Sequence, residues 1–234
     1  MAISERPTLS TEDESRFRSP WDGQRMSLEE FLALPEEKPA LEYAEGVVRQ
    51  KMAAKAVHGA IQSFLVVAIN QFARPRRLGI GFSETRFTKD DWSPVPDVAY
   101  YRRESLTVRR APADFTAAPD LSIEILSPGQ TVTDLLQKCM DYLARGTLVA
   151  LLVHPDEESV FALRPGGTLT LLRGDDVIGL EDVLPGFRMT VRDLFQAVNW
   201  SWLDEPPEIE PEGQPAAGAQ AEDDAADSGR STGG

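Results

Sequence analysis

The sequence predicts one α/β domain over about residues 26–203, set between a flexible leader and an acidic, disordered tail. Three observations predict it. Val57, Ile61, Phe64, Leu65, Ala68, Ile69 and Phe72 recur at helical spacing. Segments 121–126 and 148–153 are nearly continuous apolar runs of strand length with a helical segment between them, the pattern of strands covered on both faces. Glu45-Gly46 and Gly166-Gly167 each join two short runs of strand character, where glycine supplies the positive φ of a tight turn. A length of 234 residues suits one large domain, and a hydrophobic content of 41% excludes a wholly disordered chain.

The elements follow in order. Ser27 with Glu30 three residues later satisfies free N–H groups at the start of a helix running to about Leu34, which Pro35 and Pro39 end. Segments 41–44 and 47–52 form an antiparallel hairpin about Gly46, and the apolar stripe places a helix over 55–73. Strands are expected at 80–88, 95–101, 121–126 and 148–153. A helix at 133–144 closes at Arg145-Gly146, so 121–153 reads β-α-β. A hairpin of 160–163 and 168–172 and a short helix at 191–198 complete the domain.

Composition narrows the function classes. Twenty-four basic against 38 acidic residues give a net charge of −14, but the segment from Asp204 holds nine acids and one arginine, so over half of that excess lies outside the expected fold. Whole-chain acidity therefore does not exclude a nucleic-acid partner. The single Cys139 cannot form an internal disulfide, and with two histidines it cannot build a zinc site of the usual Cys/His type. A reducing, cytoplasmic setting is expected, with neither signal peptide nor membrane span, because no run approaches the ~20 apolar residues a bilayer requires.

Chemistry is expected where charge interrupts apolar strands. Asp97 follows Pro96 at the head of an apolar strand, and Glu124 breaks the run Leu121-Ser-Ile-Glu-Ile-Leu126. A buried carboxylate needs a cationic partner, since isolating it costs several kcal/mol. Two readings stand: a hard-cation site shared by Asp97 and Glu124, or Glu124 paired with an arginine while Asp97 caps a turn. Lys138 bears on the choice. Glu124 lies ~7 Å below the end of its strand at ~3.3 Å per residue. Lys138, on a helix returning along the sheet, descends ~8 Å at 1.5 Å per residue. The alternative for Lys138 is a surface pair with Asp134 worth ~0.3–0.5 kcal/mol.

Pro96-Asp97-Val98, then Ile123-Glu124-Ile125-Leu126-Ser127-Pro128, then Asp134, Lys138 and Tyr142 at four-residue spacing resemble the Uma-type putative restriction endonuclease family, a branch of the PD-(D/E)XK nuclease superfamily. Glu42-Tyr43 with Glu45-Gly46 is similar to that family's opening hairpin, His58 to the start of its helix, and Val153-His154-Pro155-Asp156 to its next strand and turn. The resemblance spans about residues 26–198. It departs from the superfamily's short motif, since Leu126 stands where a lysine is expected and Lys138 on the helix takes that part.

What the resemblance implies is a mixed central sheet flanked by helices around a restriction-endonuclease-like core, and Mg²⁺- or Mn²⁺-dependent hydrolysis of DNA. Asp97, Glu124 and the Ile125 carbonyl would hold the metal, Lys138 would stabilise developing charge, and Glu42 would be an added acid. His58, Arg86 and Tyr142 would face substrate, His58 by contacting phosphate or orienting Glu42; as a lone histidine beside an apolar stripe, it also reads as a structural hydrogen-bonding residue. Nine basic residues between Arg74 and Arg110, against five acids, would bring phosphate-facing cations near Asp97; a solvated face is the alternative. A homodimer suits cutting of two strands. The competing reading is a catalytically inactive nuclease-fold module that binds DNA or protein.

Overall fold

In the computed structural model, which describes residues 18–53, 55–106 and 115–204, Ser27 caps helix α1 (Leu28–Leu32) and Glu30 returns the bond to the Ser27 backbone. Strands β1 (Leu41–Ala44) and β2 (Val47–Gln50) pair antiparallel about Gly46, whose φ of 80° requires glycine. Helix α2 (Ala56–Ala73) follows, then β3 (Gly79–Ser83), β4 (Trp92–Ser93), β5 (Val98–Arg102) and β6 (Leu121–Ile125). Helix α3 (Val132–Ala144) returns the chain to β7 (Val149–His154), followed by β8 (Ser159–Arg164), β9 (Thr168–Arg173) and α4 (Val191–Ala197).

The central sheet has the order β3-β5-β6-β7-β8-β9 and is mixed: β6 and β7 run parallel, joined by the α3 crossover, and all other neighbours run antiparallel. A second sheet, β2-β1-β4, carries the hairpin. The strand period decides what each face sees. Leu121, Ile123 and Ile125 pack with Ile61, Leu65 and Ile69 of α2, while Ser122 and Glu124 point to the α3 side, where Leu135 and Cys139 meet Ala150 and Leu152. Each fully buried Leu or Ile contributes roughly 1.5–3 kcal/mol. Helix α2 is long and apolar enough to cross a membrane by length and composition, although no apolar run of ~20 residues was expected; here Ile61, Leu65, Ile69 and Ala73 bury its stripe in the core.

Three differences from the expected elements have physical reasons. The strand expected over 80–88 stops at Ser83, because Glu84 takes a left-handed φ of 43° and turns the chain. The next strand begins at Val98 rather than 95, since Pro94 and Pro96 have no N–H to give a ladder. The leader was expected to be free through residue 25, but Gly23 N–H donates to Val48 O at 2.8 Å and Gln50 N–H to Asp22 Oδ1 at 2.9 Å, so residues 18–25 are tied to the hairpin. The compact unit ends at Asn199, and Trp200 begins a second unit, in which Ser201–Asp204 form a 3₁₀ turn. The remaining leader, 1–17, and tail, 205–234, lie outside the described residues.

One glycine fixes the edge of the sheet. A Cβ at Gly79 would collide with the Tyr101 carbonyl oxygen and the Tyr100 hydroxyl across the β3–β5 pair. Gly79→Ala is expected to destabilise the protein by about 1–3 kcal/mol, read from the urea midpoint at unchanged slope; an unaltered midpoint would contradict this packing.

Candidate active site

Four elements converge at one end of the strands. The β1–β2 register pairs Glu42 with Arg49, so Glu42 and Lys51, two residues on from Arg49, share the hairpin face opposite to buried Tyr43 and Val48. Asp97 immediately precedes β5, Glu124 is the fourth residue of β6, and α3 supplies Lys138 and Tyr142 one turn apart. Thr131 caps α3 through the Asp134 N–H and donates its own hydroxyl to the Asp134 carboxylate at 2.7 Å. Asp134 is thereby engaged at the helix start, and the surface pair with Lys138 does not form.

Lys138 turns inward instead. Its ammonium donates to Glu42 Oε1 at 2.8 Å and lies 3.0 Å from Glu124 Oε1. Tyr142 Oη donates to the same Glu124 oxygen at 2.6 Å, and the Val95 N–H donates to Glu42 Oε1 at 2.7 Å. Asp97 is held from three sides. Lys51 Nζ donates to Oδ1 at 2.6 Å, His58 Nε2 stands 3.3 Å from that oxygen, and the Ile125 N–H donates to Oδ2 at 2.8 Å. Lys51 also donates to the Val95 carbonyl at 2.7 Å, His58 Nδ1 shares a hydrogen bond with Ser127 Oγ at 2.8 Å, and Gln62 Nε2 donates to the Asp97 carbonyl at 2.9 Å.

These contacts set the protonation equilibria. Burial alone would raise the Asp97 pKa, but the Lys51 ammonium and the His58 ring overturn it and hold the carboxyl well below the usual range. Glu42 is likewise opposed by burial and brought down by Lys138 and Lys51. Glu124 goes the other way: burial raises it, and Lys138 does not fully offset that burial and the neighbouring Asp97 charge. Both lysines stay charged, because the carboxylates around them outweigh desolvation and push their pKa values up. The Tyr142 hydroxyl is driven well above its ordinary value, by burial first and then by the Glu124 charge, so it remains a donor.

The expected site residues thus fall into two groups. Glu42, Asp97, Glu124 and Lys138 are brought together, with Ile125 bound to Asp97 through its N–H. His58 does not orient Glu42; it bonds Asp97 and Ser127. Arg86 is not placed to face phosphate, since its guanidinium donates to Leu41 O at 2.7 Å and to Ser93 and lies over the Phe31 ring. Tyr142 is fully buried between Phe87 and Trp92 and reaches Glu124, not the surface. Of the basic run, Arg102 pairs with Asp120 and Lys89 donates to the Arg145 carbonyl. Exposed Arg74, Arg77 and Arg103 line a cavity of about 350 Å³ at the end of β3 and β5 away from Asp97. Arg109 and Arg110 lie outside the described residues.

Lys51, Gln62 and Ser127 were not foreseen. For Lys51 a signal existed: counting back across the hairpin from Gly46 places it on the Glu42 face. Gln62 lies one turn from His58 on α2, but its target is a backbone carbonyl, which no sequence pattern marks.

The residues around these acids have the chemistry of a divalent-ion site. The donor set is all oxygen, the chemistry that Mg²⁺ and Mn²⁺ prefer, and both hydrogen bonds described for Glu124 fall on Oε1. As arranged, no three His, Cys, Asp or Glu side chains among the described residues are placed to hold one ion; the acids are paired with Lys51 and Lys138. The donor chemistry fits, with the lysines standing as cations beside the acids.

Two outcomes follow from this geometry. Tyr142→Phe removes a hydrogen bond to a buried carboxylate and is expected to lower unfolding free energy by about 1.5–3 kcal/mol in urea; a loss below 0.5 kcal/mol (roughly, on the same scale) would show the bond to be dispensable. Because the folded Asp97 pKa is depressed, its pairing contributes stability present above the unfolded value near 3.9 (roughly) and lost as pH falls below it. Asp97→Asn should therefore be less stable than the wild type at pH 7, with the gap narrowing towards about pH 3. Denaturant titrations at several pH values check this, and a constant gap would contradict it.

Comparison with known proteins bears on the family and the fold. A family model described as "Uma2: Putative restriction endonuclease" matches residues 28–192, a span that holds every residue of the cluster. A solved structure from Anabaena variabilis, described as a putative nuclease belonging to DUF820, matches with a TM-score of 0.71 and 34% sequence identity, over 74% of this chain and 99% of that one. No curated protein matches the chain.

Proposed function

This chain belongs to the Uma2 family of putative restriction endonucleases, and from that premise we propose that it hydrolyses phosphodiester bonds of DNA with a divalent ion, Mg²⁺ or Mn²⁺, bound at Asp97 and Glu124. The observation that carries the reading is the Lys138 ammonium, buried between Glu42 and Glu124 with Asp97 close by. Surface ion pairs add little to stability and need no such depth; three acids and two lysines gathered at strand ends suit transfer of charge at a phosphate.

Asp97, Glu124 and the Ile125 carbonyl would hold the ion, which when bound supplies Lewis-acid polarisation of the scissile phosphate and acidifies a water. The chain's own residues do the rest. Ile125 N–H and His58 fix the Asp97 carboxylate, and Ser127 fixes the His58 ring. Tyr142 fixes Glu124 while its ring, braced by Trp92 at 4.8 Å, closes the floor of the site. Lys138, held by Glu42, would supply a positive charge that stabilises negative charge developing on phosphate oxygens. Glu42, its own pKa held down, is available to orient a water.

Purified protein with Mg²⁺ or Mn²⁺ is expected to cut plasmid or linear duplex DNA, and Asp97→Ala and Glu124→Ala to abolish cutting. Lys138→Met is expected to lower kcat by about 10²–10³ with a smaller change in KM. Cleavage undiminished in both acid variants would overturn the assignment. The lysine-filled arrangement also favours a second reading, a module that binds DNA or protein without cutting it. Gel-shift binding unaffected by chelator, with no cleavage at any Mg²⁺ or Mn²⁺ concentration, would select that reading.

A further inference from the structure

Lys51 distinguishes the two ends of the site. Its ammonium is held by one carboxylate oxygen, Asp97 Oδ1 at 2.6 Å, and one carbonyl oxygen, that of Val95 at 2.7 Å. A cation between a carboxylate and a carbonyl sits in the ligand environment that hard divalent ions also use. Counting lysines and carboxylates alone, Lys51 and Lys138 leave one negative charge on the trio Glu42, Asp97 and Glu124. A divalent ion added on top of both ammonium groups would reverse the sign of the cluster in a place nearly closed to water, and like charges there repel strongly.

Release of one ammonium group would relieve that repulsion, and the geometry favours one of the two. Lys138 belongs to a helix packed on the sheet and contacts two carboxylates. Lys51 lies just past β2, outside any helix or strand, and has a single carboxylate within ion-pair distance. Its four-carbon stem can carry the ammonium outward. Asp97 meanwhile stays in place, because the Ile125 N–H, Gln62 and the Glu84 N–H bind its carboxylate and carbonyl independently of Lys51.

We propose that Lys51 is a resident cation that fills the Asp97 end of the site at rest, and that a divalent ion enters by exchanging with its ammonium group. The proposal rests on the divalent-ion reading above. No covalent bond is made or broken: the ion would take the Asp97 oxygen that the ammonium leaves, with Glu124 and the Ile125 carbonyl as its other ligands as above, and Lys51 would swing outward, where it becomes available to a phosphate.

The test uses the full-length protein stripped with chelator and titrated calorimetrically with Mn²⁺. Lys51→Met removes the competing charge at similar length, and is expected to bind Mn²⁺ at least tenfold more tightly than the wild type (an order-of-magnitude expectation for one removed charge competitor). Equal or weaker binding in Lys51→Met, with the wild type binding Mn²⁺, overturns the exchange while leaving the divalent-ion reading intact. No Mn²⁺ binding by either protein overturns both. A second measurement needs no variant: amine-directed labelling of the wild type, read by mass spectrometry, should show Lys51 several-fold more reactive when Mn²⁺ is bound, with Lys138 unchanged. Lys51 labelling that is indifferent to bound Mn²⁺ overturns the proposal even if Lys51→Met does not fold.

Discussion

Lys138 Nζ lies 2.8 Å from Glu42 and 3.0 Å from Glu124, and that ammonium joins two carboxylates that are largely withdrawn from water. Desolvating each ion costs several kcal/mol, so removing one partner from such a set is expected to cost about 3–5 kcal/mol, more than most core truncations of a single methyl group. The bridge is also the point at which three pieces of the fold meet: the hairpin through Glu42, the central sheet through Glu124 and the crossover helix through Lys138. A shift of α3 along the sheet would separate all three charges. The site thereby sets the register of the helix against the strands, in addition to whatever it does to a ligand.

The Asp97 end uses a different economy of contacts. Pro94 and Pro96 deprive this stretch of ladder donors, so the peptide between them is used twice: the Val95 N–H meets Glu42 and the Val95 carbonyl meets Lys51. Asp97 then does the work of a strand partner, accepting the Ile125 N–H on its side chain where β5 has not yet begun. A carboxylate that substitutes for missing backbone pairing is difficult to move. The acid is therefore the more firmly anchored member of the Asp97–Lys51 pair.

Most of the fold was legible because its signals are local. The α2 stripe, the Ser27–Glu30 cap, Gly146 after α3 and the two buried strands each follow from spacing or conformational preference within a few residues. Strand limits were read less well where the deciding event was a backbone angle, as at Glu84, or a missing donor, as at Pro96. In the site, Glu124 and Lys138 could be matched because both lie on regular elements whose rise per residue is fixed. Arg86 and Tyr142 could not, since their targets, the Leu41 carbonyl 45 residues away and the Glu124 carboxylate on the next layer, depend on how the hairpin and aromatic cluster dock. Lys51 was hidden differently: its face could be counted, but its partner Asp97 lies 46 residues on, and nothing near Lys51 announces a buried acid.

The two lysines also explain how an acidic site can exist before any ion arrives. Three carboxylates crowded at strand ends would repel, and the protein would relieve that strain by protonating them or by opening the hairpin. Glu124 already shows the first tendency, its pKa raised by burial against the pull of Lys138. Resident ammonium groups keep Glu42 and Asp97 ionised and the three elements docked, so the oxygens are in place without a metal to assemble them. Under the proposed exchange, the same groups would limit how strongly an ion binds, because an ion would have to compete with a cation that the fold itself supplies. On that proposal, the stability of the resting cluster and its affinity for an ion would be opposed at Lys51, and the length of that one side chain would set the balance between them.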